Sequence, residues 1–216
     1  MVKRVLVTGA NGFTGSYLCR RLVQRGDHVR ALVRPTVKLT ALEGLDVELI
    51  RGDLADPSLP AGILQGIDVV YNVAAVYRKD GVPEQYFFRV NADGAERLLR
   101  AALQAGVRRF VHLSTVGVLG DVRTVPASEA SPYNPSDYYQ RSKAEGERRA
   151  LAFFAERGLP GVVIRPTAIY GPGDTRFLKL FRGIDKGLFW MLGSGEVFYH
   201  LIYVLDSVRK LTHLSG

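Results

Sequence analysis

Short apolar runs alternate along this chain with longer stretches of helical periodicity. Six runs predict buried β-strands: Val2–Val7, His28–Val33, Val47–Ile50, Asp68–Val73, Arg109–Ser114 and Val162–Arg165. Apolar residues at helical spacing predict three helices, and Asp56-Pro57 is typical of the start of a further one: Phe13–Arg25, Tyr86–Ala105 and Ser136–Arg157. Because parallel neighbours need crossover connections, this alternation predicts an α/β fold with a doubly wound parallel sheet of the Rossmann type.

Length and composition narrow the functional classes. The 216 residues suit one domain, or one domain plus a fragment, and the single cysteine excludes an internal disulfide. The four histidines lack metal-ligand spacing, so no metal site is predicted. No apolar run approaches the ~18 residues of a membrane helix, and a cytoplasmic enzyme is expected. The net charge of +8 fits either an ordinary basic surface or attraction for an anionic cofactor or substrate. Nucleic acid is not an expected partner, because the arginines are spread along the chain.

A glycine-rich segment separates the first predicted strand from the first predicted helix. Its pattern is Gly9-Ala10-Asn11-Gly12-Phe13-Thr14-Gly15. In this context glycines allow a tight turn and a close approach of backbone to a pyrophosphate, and the helix N-terminus adds amides and a positive dipole. The segment therefore predicts a dinucleotide cradle, the alternative being a tight turn without a ligand.

The end of the second strand bears on which dinucleotide binds. An acidic residue there would bond the ribose hydroxyls, but this chain has Val33-Arg34-Pro35. A guanidinium suits a 2′-phosphate through charge-assisted, bidentate contacts. Arg34 therefore favours NADP over NAD, the alternative being a solvated loop charge.

Tyr139 and Lys143 lie four residues apart on a predicted helix, so their side chains share one face. An unperturbed tyrosine has a pKa near ~10 and is a poor base at neutral pH. A neighbouring ammonium favours the phenolate and lowers that pKa. The pair is therefore a candidate for proton transfer.

With these residues the chain resembles the extended short-chain dehydrogenase/reductase family, which includes nucleotide-sugar epimerases and dehydratases and dihydroflavonol-reductase-like enzymes. Asp53-Leu54 resembles the pair that holds the adenine ring, Ala74-Ala75 the segment lining the cofactor, and Pro166-Thr167 the loop along the nicotinamide. Together with Lys143 and Tyr139, the resemblance implies cofactor contacts from Gly9, Asn11, Gly12, Phe13, Gly15, Arg34, Asp53, Leu54, Ala74, Ala75, Asn91, Pro166 and Thr167.

The resemblance also implies the catalytic group. Counting back from Gly120 places Thr115, rather than Ser114, at the position of the active hydroxyl. Thr115, Tyr139 and Lys143 would then act on a substrate hydroxyl or carbonyl, with Tyr139 as acid or base and Lys143 also binding the nicotinamide ribose. Three structural alternatives stay open: Asp53 closing a turn, Ser114 bonding within the protein, and Asn72 serving as a buried amide. Val76, Tyr77, Tyr133 and Arg176 are candidate substrate contacts.

The C-terminal part departs from the resemblance. Residues 1–172 are predicted to form the dinucleotide-binding domain, and residues 173–216 the start of an incomplete substrate-binding region. In the family, a segment like residues 198–204 is usually followed by two acidic residues and a helix. In this chain Val204-Leu205-Asp206-Ser207 breaks that pattern, and the pattern is lost over Arg209–Gly216. Truncation is therefore expected, and some apolar side chains would be exposed or covered by a second subunit in a homodimer: Phe177, Leu180, Phe181, Leu188, Phe189 and Trp190.

Two functions are consistent with the sequence. The leading one is an NAD(P)-dependent epimerase, dehydratase or reductase that acts on a small-molecule substrate. The other is a non-catalytic NAD(P)-binding protein, either a regulatory protein or a relic that lacks a full substrate domain. The short C-terminal part favours the second function, and the retention of Thr115, Tyr139 and Lys143 favours the first.

Overall fold

A six-stranded parallel sheet forms the centre of the molecule. The computed structural model describes residues 2–77, 81–122, 125–188, 190 and 199–214. The strands, β1 to β6 in chain order, are Arg4–Thr8, His28–Val33, Val47–Arg51, Val69–Asn72, Arg109–Leu113 and Gly161–Ile164. They lie side by side in the order β3-β2-β1-β4-β5-β6, and each neighbouring pair is parallel. The sheet confirms the predicted fold class, and each strand begins and ends within two residues of its predicted bounds.

Helices cover both faces of this sheet. The α-helices, α1 to α6 in chain order, are Phe13–Gln24, Glu84–Phe88, Ala95–Gln104, Tyr138–Glu156, Leu178–Asp185 and Val204–His213. Short 3-10 helices lie at Thr40–Leu42 and Val116–Leu119, and a π-helical turn at Arg89–Gly94 joins α2 to α3. The helix predicted over Tyr86–Ala105 is therefore present as two α-helices with a π-turn between them.

Apolar side chains of the sheet alternate between two separate cores. Val5 and Val7 of β1 pack with Leu18 and Leu22 of α1, whereas Leu6 packs in the cluster on the opposite face with Leu98 of α3. Successive side chains of a strand point to opposite faces, so a strand buried on both sides is apolar at every position. This explains why the strands appear in the sequence as continuous apolar runs.

The helix predicted to begin at Asp56-Pro57 is absent from the described residues, and that prediction was wrong. The backbone amide of Asp56 donates to the carbonyl of Asp53 at 3.1 Å, and the amide of Ala55 donates to the Asp53 carboxylate at 2.9 Å. Pro60 and Gly62 follow closely and disfavour a continued helix. The segment consequently forms successive turns that lead into β4.

The C-terminal part contains a small sheet and a helix that the sequence did not predict. Strands β7 (Ala168–Tyr170) and β8 (Leu201–Tyr203) pair in parallel. The following helix, α6, buries five side chains at helical spacing: Val204, Ser207, Val208, Leu211 and Thr212. The expectation that the pattern is lost from Arg209 was therefore wrong, since Leu211 and Thr212 continue an apolar face that packs against α1. Phe189 and Phe198 lie outside the described residues.

Candidate active site

The predicted site residues gather at the carboxyl edge of the sheet. Gly9 follows β1, Ala74 follows β4, Thr115 follows β5, and Pro166 follows β6. Two backbone hydrogen bonds join the last two strand ends, from the amide of Ser114 to the carbonyl of Ile164 at 2.8 Å and from Val116 to Pro166 at 3.0 Å. The strand order reverses between β1 and β4, and open α/β sheets bind ligands at such a switch point.

The glycine segment forms a close turn between β1 and α1. Gly9 has a φ of +66°, and a Cβ there would lie 2.7 Å from the Cα of Ala74. A Cβ on Gly15 would overlap the carbonyl oxygen of Gly9, so the helix and the turn lie in direct backbone contact. Gly12 is the N-cap of α1 and brings no side chain to bond the first helical amides. Such amides suit an anion, and the turn therefore fits the pyrophosphate of a dinucleotide.

A series of buried polar side chains holds the strand ends next to the glycine turn. The hydroxyl of Thr8 donates to Asn72 Oδ1 at 2.8 Å and accepts the backbone amides of Val73 and Ala74 at 3.1 Å each. Asn72 Nδ2 lies 3.2 Å from Nδ1 of His112. Burial lowers the pKa of His112 well below its usual value, so the ring is neutral. The amide of Asn72 thus ties together the ends of β1, β4 and β5.

Helix α4 carries Tyr139 and Lys143 on the face toward the sheet. Its N-terminus is capped by Asp137, whose carboxylate accepts the backbone amide of Gln140 at 2.7 Å. Lys143 is 2% exposed, and its Nζ donates to the carbonyl oxygen of Leu113 at 2.6 Å. Burial lowers the pKa of Lys143 to about 8, although the negative charge of Glu147 raises it. Tyr139 is half-buried, and its ring meets that of Tyr77 edge-on, with centroids 4.9 Å apart.

Ser114 and Thr115 have different surroundings. The hydroxyl of Ser114 is buried and donates to the carboxylate of Glu147. The Oγ1 of Thr115 accepts the amide of Gly117 at 3.1 Å and caps the 3-10 helix at 116–119. The hydroxyl hydrogen of Thr115 can still be donated to another group. Of the two, Thr115 is the half-buried one beside the edge of the sheet.

Asn91 lies in the π-helical turn, a type of distortion that is frequent at functional sites. Its side-chain amide accepts the backbone amide of Val76 at 2.8 Å and donates to the carbonyl of Val76 at 3.1 Å. It also donates to Ser142 Oγ at 2.9 Å, and Ser142 donates to the carbonyl of Tyr139 at 2.8 Å. Asn91 therefore connects the loop after β4 to the first turn of α4.

The residues proposed for the adenosine end lie at the ends of β2 and β3. Arg34 is exposed directly after β2, and its carbonyl accepts a hydrogen bond of 3.2 Å from Arg51 at the end of β3. Sequence reasoning missed Arg51, whose position becomes evident only when Val33 and Arg51 are found side by side in the sheet. Asp53 closes a turn through Ala55, and Leu54 is buried. Their contacts with a cofactor stay predictions.

Arg176, a candidate substrate contact, lies beside the rings of Phe13 and Tyr77. Its guanidinium carbon lies 5.7 Å from the ring centroid of Phe13 and 5.5 Å from that of Tyr77. The guanidinium is held by Asp174 at 2.8 Å. Tyr133, another candidate substrate contact, donates instead to Glu147 at 2.7 Å, which gives it a partner inside the protein.

Within residues 2–77, 81–122, 125–188, 190 and 199–214, no group of three or more His, Cys, Asp and Glu side chains is arranged to hold a metal ion. Among the helices in the described part of the chain, none has the length and apolar character needed to cross a membrane.

The sequence is similar to a known family and to individual known proteins. The sequence matches the model of the NAD dependent epimerase/dehydratase family over residues 5–215. It is 41% identical over 175 residues to sterol demethylase protein B of Methylococcus capsulatus, which covers 79% of this chain and 53% of that protein. It is 38% identical over 194 residues to a 3 beta-hydroxysteroid dehydrogenase/Delta 5-->4-isomerase of Mycobacterium tuberculosis, covering 85% of this chain and 52% of that one.

A solved structure is also similar to this chain in sequence and in fold. The dTDP-glucose 4,6-dehydratase DesIV from Streptomyces venezuelae, solved with NAD bound, is 30% identical and superposes with a TM-score of 0.83 over 99% of this chain and 72% of its own. The present chain spans about half the length of the curated relatives named above. From the strand order, the glycine turn and these matches together, the chain belongs to the NAD-dependent epimerase/dehydratase family.

Proposed function

We propose that this chain is the dinucleotide-binding and catalytic part of an NAD(P)-dependent oxidoreductase that acts on a hydroxyl or carbonyl group. The observation that carries the proposal is the buried Lys143, one helical turn after Tyr139 on α4. Its ammonium donates to the carbonyl of Leu113, which lies two residues before Thr115. An ammonium without water around it exerts a stronger field on a neighbouring phenol than an exposed one would. Membership of the family supports the same class of reaction.

The dinucleotide would lie across the carboxyl edge, with its pyrophosphate on the glycine turn. The fit rests on the positions where side chains would collide, Gly9 and Gly15, and on the uncapped amides after Gly12. The remaining predicted contacts lie in the segments that follow the strands, at the start of α1, in the π-turn and on α4: Asn11, Phe13, Arg34, Asp53, Leu54, Ala74, Ala75, Asn91, Tyr139, Lys143, Pro166 and Thr167. When bound, the nicotinamide supplies hydride-transfer chemistry.

The protein's own groups would manage the proton and the substrate oxygen. Tyr139 gives a proton to that oxygen or takes one from it, and Lys143 favours the phenolate by its charge. Thr115 hydrogen-bonds the same oxygen and fixes its position. Lys143 has to be protonated in this role, so its pKa of about 8 leaves it charged at neutral pH and neutral under more alkaline conditions.

NADP is the proposed cofactor, with NAD as the alternative. Arg34 and Arg51 are exposed at adjacent strand ends, where two guanidiniums suit a 2′-phosphate. DesIV was solved with NAD, and that finding concerns DesIV. The substrate proposed is a nucleotide sugar or a ketone, since the family description names epimerases and dehydratases and one relative is a hydroxysteroid dehydrogenase.

The decisive experiment replaces the proposed acid–base group and keeps its ring. Tyr139→Phe should lower kcat by about 10²- to 10⁴-fold, the usual contribution of a positioned acid or base. Affinities for NADPH and NADH, from fluorescence titration, should change by less than about twofold because the phenol oxygen makes only part of the predicted cofactor contacts. Candidate nucleotide sugars and ketones would be screened by nicotinamide absorbance.

The matched control is Tyr138→Phe, which removes the same atom from the neighbouring residue. Tyr138 is 48% exposed, and this variant should keep wild-type turnover. Full turnover by Tyr139→Phe would reject the assigned acid–base group. A wild-type protein that binds NADPH but turns over none of the screened substrates would favour the non-catalytic binding function instead.

A further inference from the structure

Glu147 is a fully buried carboxylate that the sequence reasoning did not assign to the site. It lies on α4 four residues after Lys143, which itself follows Tyr139 by four, so the three side chains occupy one face of the helix. Its exposure is 0%. A buried carboxylate is rare unless it is paired or hydrogen-bonded, and its partners indicate what it does.

Both oxygens of Glu147 are bonded by groups from other elements. Oε2 accepts the hydroxyl of Ser114, at the end of β5. Oε1 accepts the hydroxyl of Tyr133 at 2.7 Å and two guanidinium nitrogens of Arg165, at 2.8 and 2.6 Å. The carboxylate therefore joins the strand end, the loop before α4 and the segment after β6.

These contacts converge on one short stretch of backbone. The carbonyl of Leu113 accepts Lys143, Ser114 donates to Glu147, and Thr115 carries the proposed active hydroxyl. Two neighbours on α4 thus hold two consecutive residues directly before Thr115. Together with the backbone hydrogen bonds of Ser114 and Val116, these contacts fix the backbone that sets the direction of the Thr115 side chain.

The charge of Glu147 also acts on Lys143. The groups that face Lys143 are Glu147 from its own helix, the neutral ring of His112 from β5 and the carbonyl of Leu113. Glu147 raises the pKa of Lys143 against the larger opposite effect of burial. Glu147 in turn faces Arg165, whose side chain is 17% exposed, and the two neutral hydroxyls.

We propose that Glu147 is a positioning residue, which supplies the countercharge for the Lys143 ammonium and holds Thr115 in place through Ser114. This role rests on the proposed function, because it serves the proton transfer assigned to Tyr139. It differs from a purely structural ion pair with Arg165 in one respect: neutralising Glu147 without changing its shape must alter the titration of Lys143.

The test is Glu147→Gln, compared with Glu145→Gln as the matched control. Glu145 loses the same charge from the same helix but is half-buried and paired with Arg149. Lysine labelled with ¹³C at Cε reports the titration of Lys143, assigned by its disappearance in Lys143→Met. In the wild type the midpoint should lie near pH 8. In Glu147→Gln it should fall by about one pH unit, and in Glu145→Gln it should not move.

Turnover gives a second readout. The decline of kcat as pH rises through the pKa of Lys143 should begin at lower pH in Glu147→Gln. Glu147→Asp keeps the charge, so its Lys143 midpoint should stay closer to that of the wild type while kcat falls because the shorter side chain no longer reaches Ser114. A folded Glu147→Gln protein in which Lys143 titrates as in the wild type would overturn the proposal.

A measurement on the wild type alone covers the case in which Glu147→Gln does not fold. The charge of the Lys143 ammonium acts on the buried carboxylate one helical turn away, so the ¹³Cδ signal of Glu147 should move as Lys143 titrates near pH 8. A Glu147 signal that is constant through that titration would also refute the proposal. Neither NMR readout needs a cofactor or a substrate, so failure of the proposed oxidoreductase function is seen separately, as absence of NADPH binding.

Discussion

Helices α5 and α6 lie close together in the sequence, but their apolar faces have different surroundings. In α6, Val208 and Leu211 are 0% and 1% exposed and pack in the same core as Leu18 and Leu22 of α1. In α5 no residue is buried, and Phe181 and Ile184 are 44% and 52% exposed. Both helices have an apolar face at helical spacing, so amphipathic pattern alone does not distinguish them.

The two helices differ in the protein surface that each one contacts. Helix α6 follows β8 and returns to the face of the sheet, where α1 presents a complementary apolar surface and Arg25 donates to the carbonyl of Thr212 at 3.1 Å. Helix α5 has no buried residue, and nothing in the described part of the chain covers its apolar side. Both helices lie after residue 172, and the domain boundary predicted there stays a prediction.

The largest expected effect is that of Leu211→Ala. This truncation should lower the free energy of unfolding by about 2–5 kcal/mol, because it removes apolar contacts and leaves a cavity between α6 and α1. Urea unfolding followed by circular dichroism measures it.

The matched control is Leu180→Ala, which makes the same truncation on α5, where Leu180 is 39% exposed. Its effect should stay within about 0.5 kcal/mol. Equal effects of the two variants would remove the distinction between the helices. Unfolding unaffected by Leu211→Ala would indicate that α6 belongs to a unit separate from the sheet.

An intermediate effect is expected at the glycines that end α1 and α5. Gly26 and Gly187 have φ values of +86° and +65°, and a Cβ on either would meet no atom within 4 Å. Replacement by alanine therefore adds only left-handed backbone strain, roughly 1–2 kcal/mol. Gly26→Ala should lower the global free energy of unfolding by that amount. Gly187→Ala should instead leave the urea midpoint unchanged and speed hydrogen exchange in α5, because α5 can unfold without the core.

The smallest effect on stability belongs to the uncovered face of α5. The double variant Phe181→Ser and Leu188→Ser removes two side chains that are 44% and 67% exposed, and should change the free energy of unfolding by less than about 0.5 kcal/mol. It should nevertheless reduce binding of a hydrophobic dye, since exposed apolar patches bind such probes.

Leu205→Ser is the control for the dye experiment, because Leu205 is 49% exposed on the outer side of α6. Dye binding should be unaffected in this variant. Unchanged dye binding in the α5 variant would mean that the α5 face is already covered in solution, and the mass of the particle from light scattering would then identify a homodimer.

Sequence reasoning went furthest where a local rule sets the structure. The glycine segment was predicted to form a tight turn, and the structure places Gly9 against Ala74 and Gly15 against Gly9 because neither glycine has a side chain. The six strands were predicted because a strand buried on both faces must be apolar throughout. A turn closed by Asp53 was among the alternatives, but the helix predicted at Asp56-Pro57 was wrong. These two residues are typical of a helix start, and Pro60 and Gly62, which follow, disfavour a helix.

The sequence by itself determined the six strands, the glycine turn and the helical spacing of Tyr139 and Lys143, because each depends on neighbours in the chain. Only the tertiary structure decided which charges meet. Glu147 reaches Ser114 and Arg165 because β5, β6 and α4 pack together, and Arg51 comes beside Arg34 through the pairing of β2 with β3. It also decided that α6 is covered and α5 is not, since burial depends on the surface that a helix meets and not on its own pattern.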